Sequence, residues 1–156
     1  MTASFDIARR ALSARYRSDT EEADSQYAQF LDALIAMKPR CSEVGIFFEL
    51  EEGTTPTEIY FTTGSGTVVM ERLMTLHDDK VGYAVVFSAL PLPGYVRLPD
   101  LWSLQLHWNA PWKHSDGQTV SRDPMTDQVD QYAAFEAVRS AAATLLLLNT
   151  ERLERS

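Results

Sequence analysis

The sequence predicts an α+β domain: an antiparallel meander of about four to five strands packed with N-terminal, middle and C-terminal helices. Three observations lead there. Apolar residues alternate with a period of two between Val44 and Phe87, and short turn-rich stretches such as "EEGTTP", "TGSG" and "HDDK" break that alternation. A stretch with helical apolar spacing precedes this region, and another follows it.

Residues 3–17 contain neither Gly nor Pro and read as a helical arm; the arm is taken as 1–18 and the domain as 19–156. From Asp19 a stronger helix is expected, capped by Asp19 with Glu22 three residues on. Its apolar face is Tyr27, Phe30, Leu31, Leu34 and Ile35, and Pro39 ends it. Strands are expected over 44–50, 58–63, 67–76 and 81–87, joined by short turns as in an antiparallel meander. Residues 100–117 carry two patterns. Trp102, Leu104, Leu106 and Trp108 alternate with Ser103, Gln105, His107 and Asn109, which suits a strand. Pro99 and Asp100 form a helix start signal, and Leu101, Leu104 and Trp108 share a helical face. A short strand over 118–122, a turn at "RDPMTD" and a last helix from about Val129 complete the chain. Phe135, Val138, Ala142, Leu145 and Leu146 are its inward residues.

Fourteen basic against 22 acidic side chains give a net charge of −8 and a pI near 4.8. A nucleic-acid binder needs concentrated basic charge, so that class is disfavoured, and basic or polar protein partners are favoured. One cysteine, Cys41, cannot form an internal disulfide and points to a reducing compartment. No export signal is visible, and the Leu145 to Leu148 run is too short for a bilayer span. A cytoplasmic protein is expected.

Catalytic chemistry finds no foothold. His77, His107 and His114 share no ligand spacing and no cysteine joins them, so no metal site is expected. "TTGSGT" has hairpin glycines but no following Lys or strand-to-helix context for phosphate. Glu51 and Glu52 are adjacent, so on a strand they face opposite ways and cannot act as an acid–base pair. The residues themselves point to a protein that binds other proteins. Trp102, Trp108 and Trp112 are the stronger signal, because tryptophan combines large apolar area with a polar N–H and is enriched at interfaces.

The order of elements, the small size and the low pI resemble the class I chaperones of bacterial type III secretion systems, over roughly residues 24–124. "YAQFLDALIAM" resembles the family's first helix and "EIYFTTGSGTVVMERL" its central hairpin. The closest stretch is "KVGYAVVFSALPLPG…LPDLWSLQLHWNAPWKHSDGQTVSRDP". There the family has a strand, a Leu/Pro turn, a leucine-rich helix, a Gly-containing turn and a strand ending in Asp-Pro. The chain departs from the family in its 1–18 arm, in Pro111, and in 127–136, which reads as helix where the family has a strand and a loop.

The resemblance implies a chaperone, not an enzyme and with no cofactor, that holds the extended N-terminal segment of a secreted effector, keeping it soluble and secretion-competent. It implies a homodimer through a helix at 100–110, with Leu101, Leu104, Trp108 and Trp112 at the interface. Client-binding slots are expected from Tyr27, Phe30 and Leu34 on the first helix and from Phe47, Tyr60 and Phe61 on the sheet. The rival reading is an acidic stoichiometric inhibitor, such as a toxin immunity or anti-defence protein. No nucleic acid or membrane partner is expected in either case.

Overall fold

The computed structural model describes residues 2–77, 80–90, 98–106, 112–114, 119–120 and 131–155. It is α+β with an antiparallel sheet. Two helices come first, α1 (Thr2–Ala36) and α2 (Lys38–Glu43). Six strands follow: β1 (Glu58–Thr63), β2 (Gly66–His77), β3 (Lys80–Leu90), β4 (Leu98–Leu106), β5 (Trp112–His114) and β6 (Thr119–Val120). Helix α3 (Gln131–Arg155) comes last. The strands neighbour one another in sequence order, and every pair is antiparallel.

Helix α1 is unbroken from Thr2, so the expected arm and the expected first helix are one element. It stops at Ala36 because Pro39 has no N–H to donate to the carbonyl of Ile35. Pro39 instead sits in the first turn of α2, where a missing N–H costs nothing. Residues 46–50 then run alongside β1. Ile46, Phe48 and Leu50 are buried while Phe47 and Glu49 are exposed, which is the expected alternation. Yet only Phe47 pairs, with Thr62, so this segment is extended chain carrying one bridge rather than a strand.

One face of the sheet carries the core. In register, Ile59 and Phe61 of β1 stand opposite Met70 and Val68 of β2, which stand opposite Phe87 and Ala89 of β3. All six are buried, together with Val85 and Tyr83. Tyr27, Phe30, Leu31 and Leu34 of α1 and Phe135, Val138, Ala141 and Leu145 of α3 join them in one cluster. Phe48, Phe61 and Phe87 form a chain of tilted rings at its centre, 4.9 and 6.5 Å apart. Asn149 ties the far part of α3 to the β1–β2 turn, its Nδ2 donating to the carbonyl of Ser65 at 2.7 Å.

Two expectations need correction. Among the described residues the sheet has six strands, against the expected four to five. No middle helix exists over 98–106: that segment is β4, with positions 102, 104 and 106 in register with Phe87, Val85 and Tyr83. The period-two pattern decided the conformation and the Pro99–Asp100 start signal did not. Between the pairs Phe87↔Trp102 and Ala89↔Leu98 the register shifts, and Pro99 falls within that irregularity. A proline is tolerated there because a bulge needs no ladder N–H. His107, Trp108 and the expected turn at 122–127 lie outside the described residues.

Candidate protein-binding edge of the sheet

Strand β2 is twice the length of its neighbour β1, and this mismatch creates the site. Pairing between them starts at Glu58↔Glu71, and the last bond of the seam is from the N–H of Arg72 to the carbonyl of Thr57, at 2.9 Å. Beyond it, β2 continues to His77 with β3 as its only strand partner among the described residues. Successive residues of a strand turn their N–H and C=O groups to opposite sides. Since Arg72 points toward β1, the backbone groups of Met74 and Leu76 point the same way, into the lane that β1 vacates. The odd residues 73, 75 and 77 point into the ladder with β3.

Why the chain leaves the lane at Thr57 follows from a cluster on the core face. The Tyr27 hydroxyl donates to the carbonyl of Pro56 at 2.5 Å, pulling the segment before β1 toward α1. The Arg72 guanidinium lies 4.3 Å from the ring centroid of Tyr83 and 5.2 Å from that of Tyr27. It also lies 3.7 Å from Oδ1 of Asp24, which accepts a 2.6 Å hydrogen bond from the Tyr83 hydroxyl. Burial pushes the Tyr27 phenol up to about 12, and the nearby Arg72 cation offsets only part of that rise. These contacts hold the end of β1, and beyond it no strand among the described residues enters the lane.

Three of the side chains along the open stretch are exposed and apolar. Leu73 and Met74 are each 46% exposed and Leu76 is 39% exposed. Met74 and Leu76 stand on the core face, opposite Tyr83 and Val81, and Leu73 stands on the other face, opposite Ala84. Natural proteins guard such edges with charges, prolines or bulges, and "LMTLH" has none of these. At the mouth of the lane, Glu58 and Glu71 are directly opposite on the face that carries Leu73. The Tyr60 hydroxyl donates to Oε2 of Glu58 at 3.2 Å.

The expected client slots divide. Tyr27, Phe30, Leu34 and Phe61 are fully buried in the core, so they offer no surface to a partner. The helical face read as a groove is the face that packs on the sheet. Phe47 and Tyr60 are exposed, and Phe47 forms the bridge to Thr62, two residues along β1 from Tyr60. Leu101 and Leu104 lie on β4, which removes the helix on which the expected dimer contact depended, and Trp112 lies on β5. Leu73, Met74 and Leu76 fall within the strand expected over 67–76, to which the sequence assigns no site. The overlooked signal was length: a hairpin whose first arm is bounded by Pro56 cannot cover a second arm reaching His77.

Elsewhere the chemistry is sparse. Cys41 is buried, and burial raises its thiol pKa. Among the described residues, no group of three or more His, Cys, Asp or Glu could hold a metal ion, and no helix is long and apolar enough to cross a membrane. Comparison with protein-family models, with curated proteins and with solved structures gave no match.

Proposed function

We propose that this chain is a type III secretion-like chaperone of the cytoplasm that receives an extended segment of a secreted effector as an added strand. The observation that carries the reading is the unguarded, apolar edge of β2 beyond Thr57. An extended chain entering that lane satisfies the outward N–H and C=O groups of Met74 and Leu76 and covers their exposed side chains. The resemblance over residues 24–124 supports the same kind of client. The net charge of −8 keeps the complex soluble after apolar segments have docked. Nothing in this binding mode calls for an enzyme activity or a cofactor. The dimer implied for residues 100–110 forms no part of the proposal, because it depended on a helix.

The test is co-purification from the native host with tagged wild-type protein and with Met74→Pro. The proline removes an N–H that points away from β3, so the fold is retained while strand addition is blocked. The expected result is one stoichiometric client bound through its N-terminal segment, with that segment expressed alone retaining binding, and loss of the client in the variant. A partner that binds only as a folded domain, equally well to both proteins, supports the stoichiometric inhibitor instead.

A further inference from the structure

We infer that α1 pairs antiparallel with α1 of a second copy of this chain, the basic first half of each helix lying along the acidic second half of the other. This contact is separate from the edge of β2 and stands or falls independently of it.

Charge is segregated along the helix. Residues 1–18 carry Arg9, Arg10, Arg15 and Arg17 against Asp6, four basic groups to one acidic, for a net of +3. Residues 19–36 carry Asp19, Glu21, Glu22, Asp24 and Asp32 with no Lys or Arg, for a net of −5. Helix stability does not explain this order, because a helix gains from acids in its first turn and bases in its last, and α1 has neither. The two halves cannot meet within one chain: α1 is continuous from Thr2 to Ala36, with no Gly or Pro at which to fold back. Their complementarity is therefore available only to another molecule. It is the order of charge along the helix that matters, not any one unpaired group.

The first half also leaves apolar surface uncovered. Phe5 and Ala23 are separated by about five full turns, so they lie on the same side of α1. At Ala23 that side is sealed into the core, as it is at Tyr27 and Phe30, whereas Phe5 is 68% exposed. The core-facing side of the helix thus continues past the part of the domain that covers it. In an antiparallel pair this uncovered side comes to lie against the partner's domain, because the half beside it is the half packed on the partner's sheet. A parallel pair would instead set +3 beside +3 and −5 beside −5. An anionic surface such as a membrane would attract the basic half and repel the acidic half in line with it. A second copy, antiparallel, satisfies both halves at once.

The experiment is sedimentation equilibrium of the full chain at low and high salt. The expected result is a dimer whose dissociation constant rises about tenfold between about 50 mM and about 500 mM NaCl, because opposite charges on exposed helices are screened. A dimer strengthened by salt means that like charges face each other, and it overturns the antiparallel order. Two charge variants then test the halves. R9E/R10E/R15E/R17E turns the first half negative, and E21K/E22K/D32K turns the second half positive. Each alone should be monomeric with the circular dichroism of the wild type, and an equimolar mixture should form a heterodimer. Phe5→Ser should weaken the wild-type dimer about tenfold, which keeps the test decisive if a charge variant fails to fold. A dimer that survives both charge variants, or a mixture that stays monomeric, overturns the inference. Loss of such a dimer in Met74→Pro would place the second copy at the edge of β2 instead. A wild type that is monomeric at about 100 μM also overturns it, and binding of that monomer to phosphatidylserine vesicles would make an anionic surface the occupant.

Discussion

The Tyr83 hydroxyl on β3 donates a 2.6 Å hydrogen bond to Oδ1 of Asp24 on α1, across 59 residues of chain. This bond and the Arg72 guanidinium between the Tyr83 and Tyr27 rings join the long helix to the part of the β2–β3 hairpin that outruns β1. The overhang is thereby held as sheet although, among the described residues, one of its edges has no strand beside it. Stability of the cluster and availability of the edge are therefore linked.

Removing the hydroxyl tests that link. Tyr83→Phe keeps the ring under Arg72 and deletes the bond to Asp24, whose half-exposed carboxylate water can partly resolvate. The expected loss is about 1 kcal/mol in urea unfolding. Arg72→Met should cost a similar amount through the lost cation–π contacts, about 0.5–2 kcal/mol. In both variants, hydrogen exchange at residues 73–77 and 80–84 should accelerate more than exchange in β1.

The buried phenol of Tyr27 predicts an alkaline weakness. Its folded pKa of about 12 lies above the ordinary value of 10.0, because burial disfavours the phenolate. Between those values the folded protein holds a proton that the unfolded chain releases, so stability is fully present below pH 10 and is lost as pH rises toward 12. The urea midpoint of the wild type should fall across that window more steeply than that of Tyr27→Phe. Parallel curves for the two proteins would remove the phenol as the cause.

Cys41 gives a reporter of global opening. The thiol is fully buried and its pKa is raised, so little thiolate is present at neutral pH and reagent has no access. Labelling by a disulfide reagent should be slow in the native protein and rapid in denaturant, with no change in partner binding for Cys41→Ala.

How far the sequence alone could reach is clearest from four residues. Tyr27, Phe30 and Leu34 have helical spacing and Phe61 has strand spacing, and each sits at a buried position of its element. Period therefore located the apolar face but not what covers it, because a core and a binding groove use the same side chains at the same intervals. Residues 100–110 show the opposite difficulty. Local start signals at Pro99 and Asp100 favoured a helix, but pairing with β3 rewards the alternation of Trp102, Leu104 and Leu106 and overrides them. The edge of β2 was legible in principle, since it needs only the relative lengths of two neighbouring strands.

Core and surface roles are separable by substitution. Phe61→Ala should cost about 3–5 kcal/mol, since it leaves a cavity between Phe48 and Phe87. Tyr60→Ala, one residue away and half exposed, should cost under about 1 kcal/mol. Phe30→Asp would bury an unpaired carboxylate and should prevent folding outright. Circular dichroism and urea unfolding give the answer, and a folded Phe30→Asp protein would contradict the assigned core.

Proline scanning along residues 73–77 examines the direction of every backbone group in the overhang. Thr75 stands opposite Gly82, and its N–H points into the ladder with β3. Thr75→Pro removes that hydrogen bond and strands the carbonyl that accepted it, at a cost of about 1–3 kcal/mol. Met74 and Leu76 point the other way, into the open lane. Met74→Pro and Leu76→Pro therefore lose no ladder bond and should each change stability by less than about 1 kcal/mol, as a proline does on a free edge. The alternation is the signature: a large loss at 75 between two small ones at 74 and 76. Equal losses at all three positions would mean that another part of the chain already accepts the outward bonds of Met74 and Leu76, and the lane would then be closed to any partner.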